Sequence, residues 1–491
     1  MQHPAPQHAS GRPERQGGRK PKPSTAVVIG GGIAGLVSAR ELALAGVEVT
    51  VLERSPRFGG CVTRHEVGGL TLDAGAESFA TRSSVVSDLV AELGLGAELV
   101  QPNPAGAWIQ LPDGAQRLPK TGVLGIPADL SDPDVVRAIG RRAALRASGD
   151  KVMPLGSLLR REQLSLGELV RTRMGDAVLQ KLVAPVVGGV YSADPDVLEV
   201  DSVMPGLRAS VASHGSLTAA VRAIRKAAPA GSNVAGIAGG MGRLTEALLA
   251  DLKTRHVSLH AGAAATAVTK HDDGWLVESA AGTFSADAVM MAADGGAAVR
   301  LLAGTVPGLT GLEPEAGPSV ALVTLVVDLP ELDAMPRGTG LLVAPSVQNV
   351  KAKALTHATA KWPWLADEAG PGSHVLRLSF GRAVGQQGAE DFTGWNDDEL
   401  YRQALADASS LMGVGIGDDD VVGWKVVRWI GALPSATVGH RDRVAAVRRE
   451  LAAQTGVDVT GAWLAGTGLV AVVGDARRRA RELAARLQPA A

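Results

Sequence analysis

A glycine-rich turn between an apolar strand and an apolar helix is the feature that most constrains the fold of this chain. Residues 26–29 (AVVI) are the kind of short, β-branched apolar run that is typical of a strand buried on both faces. The chain then passes through Gly30, Gly32 and Gly35, which have the spacing G-x-G-x-x-G. The first glycine permits a sharp bend, the second lets backbone approach a diphosphate, and the third lets helix and strand pack closely. The phosphates would lie at the positive end of the helix.

An acidic residue downstream strengthens this interpretation, since the spacing alone is a weak signal in a chain with 61 glycines. Gly46 ends the helix, residues 47–52 (VEVTVL) predict a second strand, and Glu53 follows that strand directly. A carboxylate about 20 residues beyond the glycines accepts hydrogen bonds from ribose hydroxyls in dinucleotide sites. The sequence therefore predicts an α/β domain that binds a dinucleotide, whereas an ordinary glycine-rich turn would leave Glu53 unexplained.

Size and composition limit what the rest of the chain can be. A chain of 491 residues is expected to form two or three domains. The 49 basic and 50 acidic side chains balance, which argues against nucleic acid as a partner. The single cysteine, Cys61, excludes disulfides within the chain and fits a cytoplasmic protein. No apolar run is long enough for a transmembrane helix, and residues 1–24 are predicted to be a disordered tail.

Two further clusters follow Glu53 and narrow the class of dinucleotide. Arg54 is followed by Gly59 and Gly60, and residues 73–78 (DAGAES) form another glycine-containing turn. Glu53, the glycine doublet and the D-x-G turn, in this order, resemble the FAD-binding half of the amine-oxidase superfamily. Ordinary turns remain the alternative, but they do not account for three glycine clusters in the family's order.

The middle of the chain is mainly helical in its periodicity. Helices are predicted over residues 134–147, 166–174 and 176–183. This section is rich in arginine, at positions 137, 141, 142, 146, 160, 161, 171 and 173. Solvated helix faces are the favoured interpretation, because exposed charges are the default. A collar that attracts an anionic substrate is the functional alternative.

A longer motif in this section narrows the resemblance to one family. Residues 184–195 (APVVGGVYSADP) resemble the P-x-x-x-G-V-Y-(A/S)-x-D-P segment of the protoporphyrinogen and coproporphyrinogen III oxidases, and residues 198–205 continue the pattern. The similarity extends from about residue 25 to residue 487. This segment is much more specific than the glycine fingerprint, which many flavoproteins share.

The resemblance implies an α/β fold in which a Rossmann-type FAD-binding domain is discontinuous in sequence. That domain would comprise residues 25–86, 237–310 and 440–491. An α+β substrate-binding domain would comprise residues 87–119, 213–236 and 311–439, and a helical domain would comprise residues 120–212. Near the C-terminus we expect a strand over 462–466 and a final helix over 476–487.

The resemblance also implies the residues that bind FAD. By their match to the family's motifs these are Gly30, Gly31, Gly32, Ile33, Ala34, Gly35, Glu53, Arg54, Gly59, Gly60, Cys61, Gly75, Ala76, Glu77, Ser78, Ala265, Trp429, Gly466, Val470, Ala471 and Val472. Cys61 is expected to be a small buried residue that contacts the cofactor through its backbone.

One candidate catalytic residue and one unassigned role complete the implied site. Gly189 matches a family glycine whose carbonyl is proposed to accept the substrate's pyrrole N–H, although a glycine that ends a helix is an equal alternative. In some relatives an arginine that binds a propionate of the substrate lies near the strand in which this chain has Trp108. The residue that binds the anionic groups of the substrate is therefore unassigned in this chain. No metal is expected, since His256 and His260 lie in a strand pattern without further ligands.

The implied activity is the oxygen-dependent oxidation of a porphyrinogen with FAD as cofactor and hydrogen peroxide as by-product. Coproporphyrinogen III is the favoured substrate, because the chain has an arginine-rich section and no long apolar patch. Protoporphyrinogen IX, an amine oxidase or carotene desaturase activity, and a redox-inactive FAD-binding scaffold are the alternatives. The sequence leaves a ferrochelatase partner and peripheral membrane association open.

Overall fold

The computed structural model describes residues 23–120, 122–227, 233–272, 274–382, 390–431 and 436–487. Most of the proposed N-terminal tail, residues 1–22, therefore lies outside the described residues. All peptide bonds in the described part are trans.

The described residues form strands that are numbered in chain order. They are β1 (Thr25–Ile29), β2 (Glu48–Leu52), β3 (Arg64–Val67), β4 (Leu70–Asp73), β5 (Phe79–Ala80), β6 (Leu99–Val100), β7 (Trp108–Leu111), β8 (Gly114–Arg117), β9 (Gly122–Val123), β10 (Ile126–Pro127), β11 (Val234–Ile237), β12 (Ser258–His260), β13 (Ala265–His271), β14 (Gly274–Ser279), β15 (Gly282–Ala286), β16 (Ala288–Met291), β17 (Val320–Asp328), β18 (Gly340–Val343), β19 (Ala354–His357), β20 (Ser373–Phe380), β21 (Val421–Trp429) and β22 (Val457–Val459).

The α-helices are numbered in the same way. They are α1 (Ile33–Leu44), α2 (Val85–Glu92), α3 (Pro133–Ile139), α4 (Arg141–Ser148), α5 (Leu166–Met174), α6 (Asp176–Val178), α7 (Ala184–Tyr191), α8 (Val200–Val203), α9 (Leu207–His214), α10 (Leu217–Ala227), α11 (Gly242–Thr254), α12 (Gly295–Ala303), α13 (Ala358–Lys361), α14 (Pro363–Ala369), α15 (Asp397–Met412), α16 (His440–Ala452), α17 (Ala462–Ala465) and α18 (Leu469–Leu487).

A five-stranded parallel sheet, in the order β12-β2-β1-β16-β22, carries the predicted fingerprint. Its strands come from widely separated parts of the chain, so the sheet is discontinuous in sequence. The chain order reverses between β1 and β16, which neighbour each other. In open α/β sheets ligands bind at the carboxyl ends of the strands beside such a reversal. The glycine-rich turn lies at this point.

Both faces of the parallel sheet are covered, which explains why β1 is apolar on both sides. One face packs against α1, α11 and α18, and Leu36, Leu248 and Leu483 are buried there. The other face packs against α12, α16 and the antiparallel meander β13-β14-β15, with Trp275 buried beneath it. The predicted strand–turn–helix–strand unit is confirmed as β1, α1 and β2.

A second sheet has seven strands in the order β21-β17-β20-β19-β18-β7-β8. All its pairings are antiparallel except that of β18 with β7. One buried cluster joins this sheet to the helices between α3 and α10 and to α15. The mainly helical section that the periodicity predicts is therefore packed onto the second sheet.

Local expectations were wrong at four places. The predicted helix over 134–147 is two helices, α3 and α4, because Gly140 has φ +84° and ends the first. Residues 176–183 form α6 and then a π-helical turn that continues into α7. Residues 462–465 form α17 instead of a strand, since glycines with positive φ at 461 and 466 bracket a single helical turn. The last helix begins at residue 469, earlier than residue 476.

Candidate functional site

In the first glycine cluster, the space around each glycine shows why a side chain is or is not tolerated there. Gly30 has φ +111°, and a Cβ there would lie 2.6 Å from the carbonyl oxygen of Ala292, at the end of β16. A Cβ on Gly35 would lie 1.8 Å from the carbonyl oxygen of Gly30. A Cβ on Gly32, in contrast, would meet nothing within 4 Å. Gly30 and Gly35 are therefore needed for packing, whereas Gly32 leaves open space beside the backbone.

The N-terminus of α1 opens onto this space. Gly32 is the N-cap of α1 and offers no side-chain hydrogen bond, and Ile33 and Ala34 follow in the first turn. The first N–H groups of a helix have no partner within the helix and carry its positive end. A diphosphate at this place would meet free N–H groups and no side chain, so the residues present fit FAD.

Glu53 is placed at the edge of the same loop. Its Oε2 accepts a hydrogen bond of 2.6 Å from the N–H of Gly31, and its Oε1 accepts bonds from the N–H and hydroxyl of Ser55. The carboxylate therefore lies next to the glycine turn, as the fingerprint predicts for a ribose ligand. Arg54 is exposed and pairs with Asp294 at 3.4 Å.

The residues after β12 run beside Glu53. The N–H of Ala263 donates to the carbonyl of Glu53 at 2.7 Å, and the N–H of Gly262 donates to that of Ser55 at 2.8 Å. Ala265, two residues further on, begins β13 next to a register shift in its pairing with β14. The structure thus brings Ala265 to the same end of the sheet as Glu53.

The second glycine cluster packs directly on the first. The N–H of Gly59 donates to the carbonyl of Gly31 at 2.8 Å, and Gly59 pairs with Gly32 in an isolated parallel bridge. Gly60 has φ +58°, and a Cβ there would lie 3.5 Å from the Cα of Gly32. The two clusters that the sequence separates by more than twenty residues therefore form one surface.

Cys61 links the second cluster to the third. Its carbonyl accepts a hydrogen bond of 2.9 Å from the N–H of Ala76, and a Cβ on Gly75 would lie 2.2 Å from the same oxygen. The expectation that Cys61 is buried was wrong, because its side chain is exposed. The protein atoms around the thiol nevertheless shield it from much of the solvent, and this desolvation raises the pKa of the thiol.

The third cluster, residues 75–78, is held by side chains from the seven-stranded sheet. Arg377 in β20 donates to the carbonyl of Gly75 at 2.8 Å, and the indole N–H of Trp429 in β21 donates to the carbonyl of Ala74 at 3.0 Å. Trp429 therefore lies beside the turn that contains Ala76 and Ser78. The seven-stranded sheet thus contacts the third cluster at this point.

Glu77 is the charged centre of this junction. Its side chain is only 14% exposed, and it pairs with Lys361 and, at 3.0 Å, with Arg377. Burial favours the neutral acid, but the two cations outweigh it and lower the pKa of Glu77 to about 2. Glu77 is thus ionised throughout the neutral range and holds the third cluster against the second sheet.

The C-terminal residues of the predicted site lie in and before the first turn of α18. Gly466 has φ +98°, and a Cβ there would meet nothing within 4 Å. Val470, Ala471 and Val472 are helical, and the N–H groups of Ala471 and Val472 both point back to the carbonyl of Gly468. Val472 is part of the apolar cluster that contains α1.

Gly189 lies in the last turn of α7, which ends at a left-handed cap, Ser192, with φ 51°. The N–H of Ser192 donates to Gly188 at 3.1 Å, so the carbonyl of Gly189 is the next one toward the helix end. A Cβ on Gly189 would lie 2.5 Å from the Cδ2 of Leu342 in β18. The last turn of α7 therefore packs closely on the second sheet.

The arginine-rich section is largely engaged with its own segment. Arg137 pairs with Asp134, and Arg171 pairs with Asp196 at 2.7 Å. Arg173 is buried and pairs with Asp150 at 2.6 Å. These contacts favour a structural role over an anion-attracting collar. At Trp108, the guanidinium of Arg337 lies 5.0 Å from the ring centre.

Sequence comparison decides the family. The flavin containing amine oxidoreductase family matches residues 33–488, which is most of the chain. The chain belongs to this family. The predicted flavin cofactor, FAD, and the predicted oxidoreductase activity are therefore confirmed.

Individual relatives of this flavin oxidoreductase confirm the resemblance to the porphyrinogen oxidases. A coproporphyrinogen III oxidase of Mycobacterium tuberculosis is 31% identical over 93% of this chain and 96% of its own length. The coproporphyrinogen III oxidase of Bacillus subtilis is 29% identical over 90% of this chain and 94% of its own length.

Solved structures share the fold of this flavin oxidoreductase. A protein from Exiguobacterium sp. 255-15, assigned as a protoporphyrinogen oxidase, superposes with a TM-score of 0.79 at 28% identity, covering 94% of this chain and 98% of its own. Cyclohexylamine oxidase from Brevibacterium oxydans superposes with a TM-score of 0.65 at 16% identity, which shows the fold alone. The fold is thus the mixed α/β amine-oxidase flavoprotein fold.

Sequence reasoning missed several residues of this flavin oxidoreductase that hold the predicted site residues in place. Asp73 accepts hydrogen bonds from the N–H groups of Met241 and Gly242 and so caps α11, and burial raises its pKa to about 6. Lys361 and Arg377 hold Glu77 from far along the chain. The D-x-G turn was a signal for Asp73, whereas no local pattern indicated the two cations.

Neither a metal site nor a membrane span is found in the part of this flavin oxidoreductase that the structure describes. No described group of three or more His, Cys, Asp or Glu side chains could hold a metal ion. Among the same residues, no helix is long and apolar enough to cross a membrane.

Proposed function

We propose that this protein oxidises coproporphyrinogen III to coproporphyrin III, with FAD as cofactor and molecular oxygen as acceptor. The observation that carries the proposal is the similarity to coproporphyrinogen III oxidases from several bacteria over nine-tenths of the chain or more. Residues 184–195, the motif typical of porphyrinogen oxidases, support it independently. The arginine-rich section does not support the proposal, because several of its arginines form ion pairs with acidic residues of the same segment.

The chemistry balances with oxygen alone as the oxidant. The porphyrinogen loses six electrons and six protons in three steps, and three molecules of oxygen become three of hydrogen peroxide. Bound FAD supplies the redox chemistry by taking up two electrons at a time and passing them to oxygen. The protein has to hold the substrate against the flavin and keep bulk water out.

The roles of the cofactor-binding residues follow from their positions. Residues 30–35 would hold the diphosphate at the start of α1, while Glu53, with Arg54 nearby, would meet the ribose, and Ala265 would contact the adenine through its backbone. Along the ribityl chain and flavin we place residues 59–61, residues 75–78 and Trp429. Gly466 and residues 470–472 would close the site from the C-terminal side.

Gly189 is the proposed catalytic residue. Its carbonyl lies in the last turn of a helix, where carbonyl groups have no i+4 donor within the helix. A pyrrole N–H of the substrate needs an acceptor when it is taken out of water. The Gly189 carbonyl would accept that hydrogen and orient the macrocycle.

The domain organisation, location and partners are part of the same proposal. We assign residues 25–86, 237–310 and 440–491 to the FAD-binding domain and residues 87–119, 213–236 and 311–439 to the substrate-binding domain. Residues 120–212 form the helical domain in this assignment. We place the enzyme in the cytoplasm, where it would release coproporphyrin III to a ferrochelatase.

A side-by-side assay tests the proposal. Freshly reduced coproporphyrinogen III and protoporphyrinogen IX are supplied separately in air, and porphyrin fluorescence is followed. We expect kcat/KM to be at least tenfold higher for coproporphyrinogen III. The reverse preference would favour the second candidate, protoporphyrinogen IX oxidase, which the Exiguobacterium structure supports. No turnover of either substrate by FAD-loaded protein would contradict both and favour an amine oxidase.

A further inference from the structure

Two cations are buried beside the helix end that carries Gly189. Lys353, directly before β19, has 1% of its surface exposed, and Arg382, two residues after β20, has 7% exposed. Lys and Arg are almost never buried to this degree unless they are paired. The pair therefore calls for an explanation.

The partners of these two cations are neutral. The Nζ of Lys353 donates to the hydroxyl of Ser192, the residue that caps α7. Both terminal nitrogens of Arg382 reach the carbonyl of Val343, at 3.4 and 3.3 Å. No described carboxylate forms an ion pair with either cation. Asp407, on the neighbouring α15, instead accepts bonds from the N–H groups of Lys351 and Ala352.

The electrostatics agree with this geometry. Burial and, to a smaller extent, the charge of Arg382 together lower the pKa of Lys353 to about 7. Burial alone lowers the pKa of Arg382 to about 10. The two side chains thus disfavour each other's charge, and no carboxylate among the described residues pairs with either of them. Two uncompensated buried cations are costly, and an anion between them would offset that cost.

The position of the pair relates it to the proposed substrate site. Val343 follows Leu342, whose side chain packs against Gly189. Ser192 is three residues after Gly189 on the same helix end. Lys353 and Arg382 therefore bond to residues beside the end of α7, close to the residue that we expect to contact the macrocycle.

We propose that Lys353 and Arg382 form an anchor for one carboxylate of the substrate. The proposal rests on the proposed function and names the anion partner that the sequence left unassigned. A propionate of a porphyrinogen has the charge and reach that such an anchor requires, and Arg382 can hold it through two parallel N–H groups. Lys353 adds a point charge and stays bonded to Ser192.

The opposing explanation is that Lys353 only stabilises the negative C-terminal end of α7. The two explanations predict opposite effects on stability. If Lys353 and Arg382 serve a ligand, replacing either with methionine removes an unpaired buried charge and leaves the unbound protein equally stable or more stable. If Lys353 only supports α7, the same change lowers the Tm and weakens every ligand alike.

The experiment measures binding of coproporphyrin III, the proposed product, and of its tetramethyl ester to FAD-loaded protein. Lys353→Met, Arg382→Met and the control Lys351→Met are compared with wild type. Lys351 lies on the same segment, but it is half-exposed and pairs with Glu390. We expect each of the first two variants to raise the Kd of the free acid at least tenfold, with an unchanged Kd for the ester, unchanged FAD content and no loss in Tm. The control should change neither Kd.

Two results would overturn the proposed anchor. One is an unchanged preference for the acid over the ester in both variants, and the other is an equal loss for both ligands together with a lower Tm. If one of these results is found while the wild type still binds the free acid and oxidises coproporphyrinogen III, the anchor is wrong but the proposed function stands. If the wild type binds no porphyrin and oxidises no porphyrinogen, the proposed function itself fails and the anchor with it.

Discussion

At the scale of single residues, the glycines of the first cluster divide into those that shape the fold and one that shapes the site. Gly30 and Gly35 face backbone atoms that a Cβ would strike, whereas Gly32 faces open space. Sequence reasoning predicted the bend at Gly30 and the close packing at Gly35, because both depend on residues within one strand–turn–helix unit, while the role of Gly32 at a diphosphate stays a prediction.

The substitution Gly32→Val is expected to abolish FAD retention and to leave the fold intact. Gly32 has φ −74°, which valine adopts freely, and the loss of a glycine N-cap costs only about 1 kcal/mol. FAD content is read from visible absorbance and the fold from thermal unfolding. Gly304→Ala, also in open space but at the C-cap of α12, is the control and should retain FAD. A yellow, fully loaded Gly32→Val protein would contradict the site.

The substitution Glu77→Gln is expected to destabilise the protein by about 3 kcal/mol at pH 7. It removes the negative charge that Lys361 and Arg377, both largely buried, have as their partner. The free energy of unfolding is measured with urea. The control is Glu246→Gln, an exposed partner of Arg64, which should cost less than about 1 kcal/mol.

The pH dependence of this difference has a definite sign. Glu77 has a pKa lowered from 4.5 to about 2, so its contribution is complete above pH 4.5 and is lost as the pH falls toward 2. The gap in unfolding free energy between wild type and Glu77→Gln should therefore shrink over this range. A gap that stays constant from pH 7 to pH 3 would show that Glu77 is not held by its cations.

At the scale of elements, α18 is held against α1 by the buried carboxylate of Glu41 and two arginines of α18. Glu41 on α1 is 4% exposed and accepts a bond of 2.7 Å from Arg481, and Arg477 lies 3.4 Å away. The first turn of α18 carries Val470, Ala471 and Val472 of the proposed FAD site. The pairing of α1 with α18 therefore couples the end of the chain to the cofactor.

The substitution Glu41→Gln is expected to lower the free energy of unfolding by about 2 kcal/mol and to speed the release of FAD, because it weakens charged hydrogen bonds to a buried carboxylate. Urea unfolding and the rate of FAD loss on dilution check both effects. Glu482→Gln, on the exposed side of α18, should leave both nearly unchanged. Equal behaviour of the two variants would contradict the coupling.

Elements differ in how much of them the sequence could predict. β1, α1 and β2 were predictable, since a local pattern sets them. Residues 462–466 were mistaken for a strand because five residues are too few to separate a helical from an alternating pattern. The ion pairs of Glu77 could not be predicted, as Lys361 is 284 residues away and only the meeting of the two sheets brings them together.

At the scale of the whole molecule, the proposed site lies where the three glycine clusters connect the parallel sheet to the seven-stranded sheet. The parallel sheet carries the first cluster at its chain reversal, and the seven-stranded sheet supplies Trp429, Arg377 and the surface against which Gly189 packs. Sequence motifs indicated both halves and the family. They did not indicate Lys353 and Arg382, because the pairing of β18, β19 and β20 brings these two residues together.

The measurement that tests the central claim most directly is an anaerobic mixing of FAD-loaded protein with coproporphyrinogen III. The account predicts that the visible absorption of the bound FAD bleaches without oxygen, because FAD accepts the first two of the six electrons, and that porphyrin fluorescence appears only once oxygen takes up the rest. It also predicts that the absorption returns on admission of oxygen, with hydrogen peroxide released. Protein that carries FAD but keeps its absorption unchanged in the presence of the porphyrinogen would contradict the proposed function.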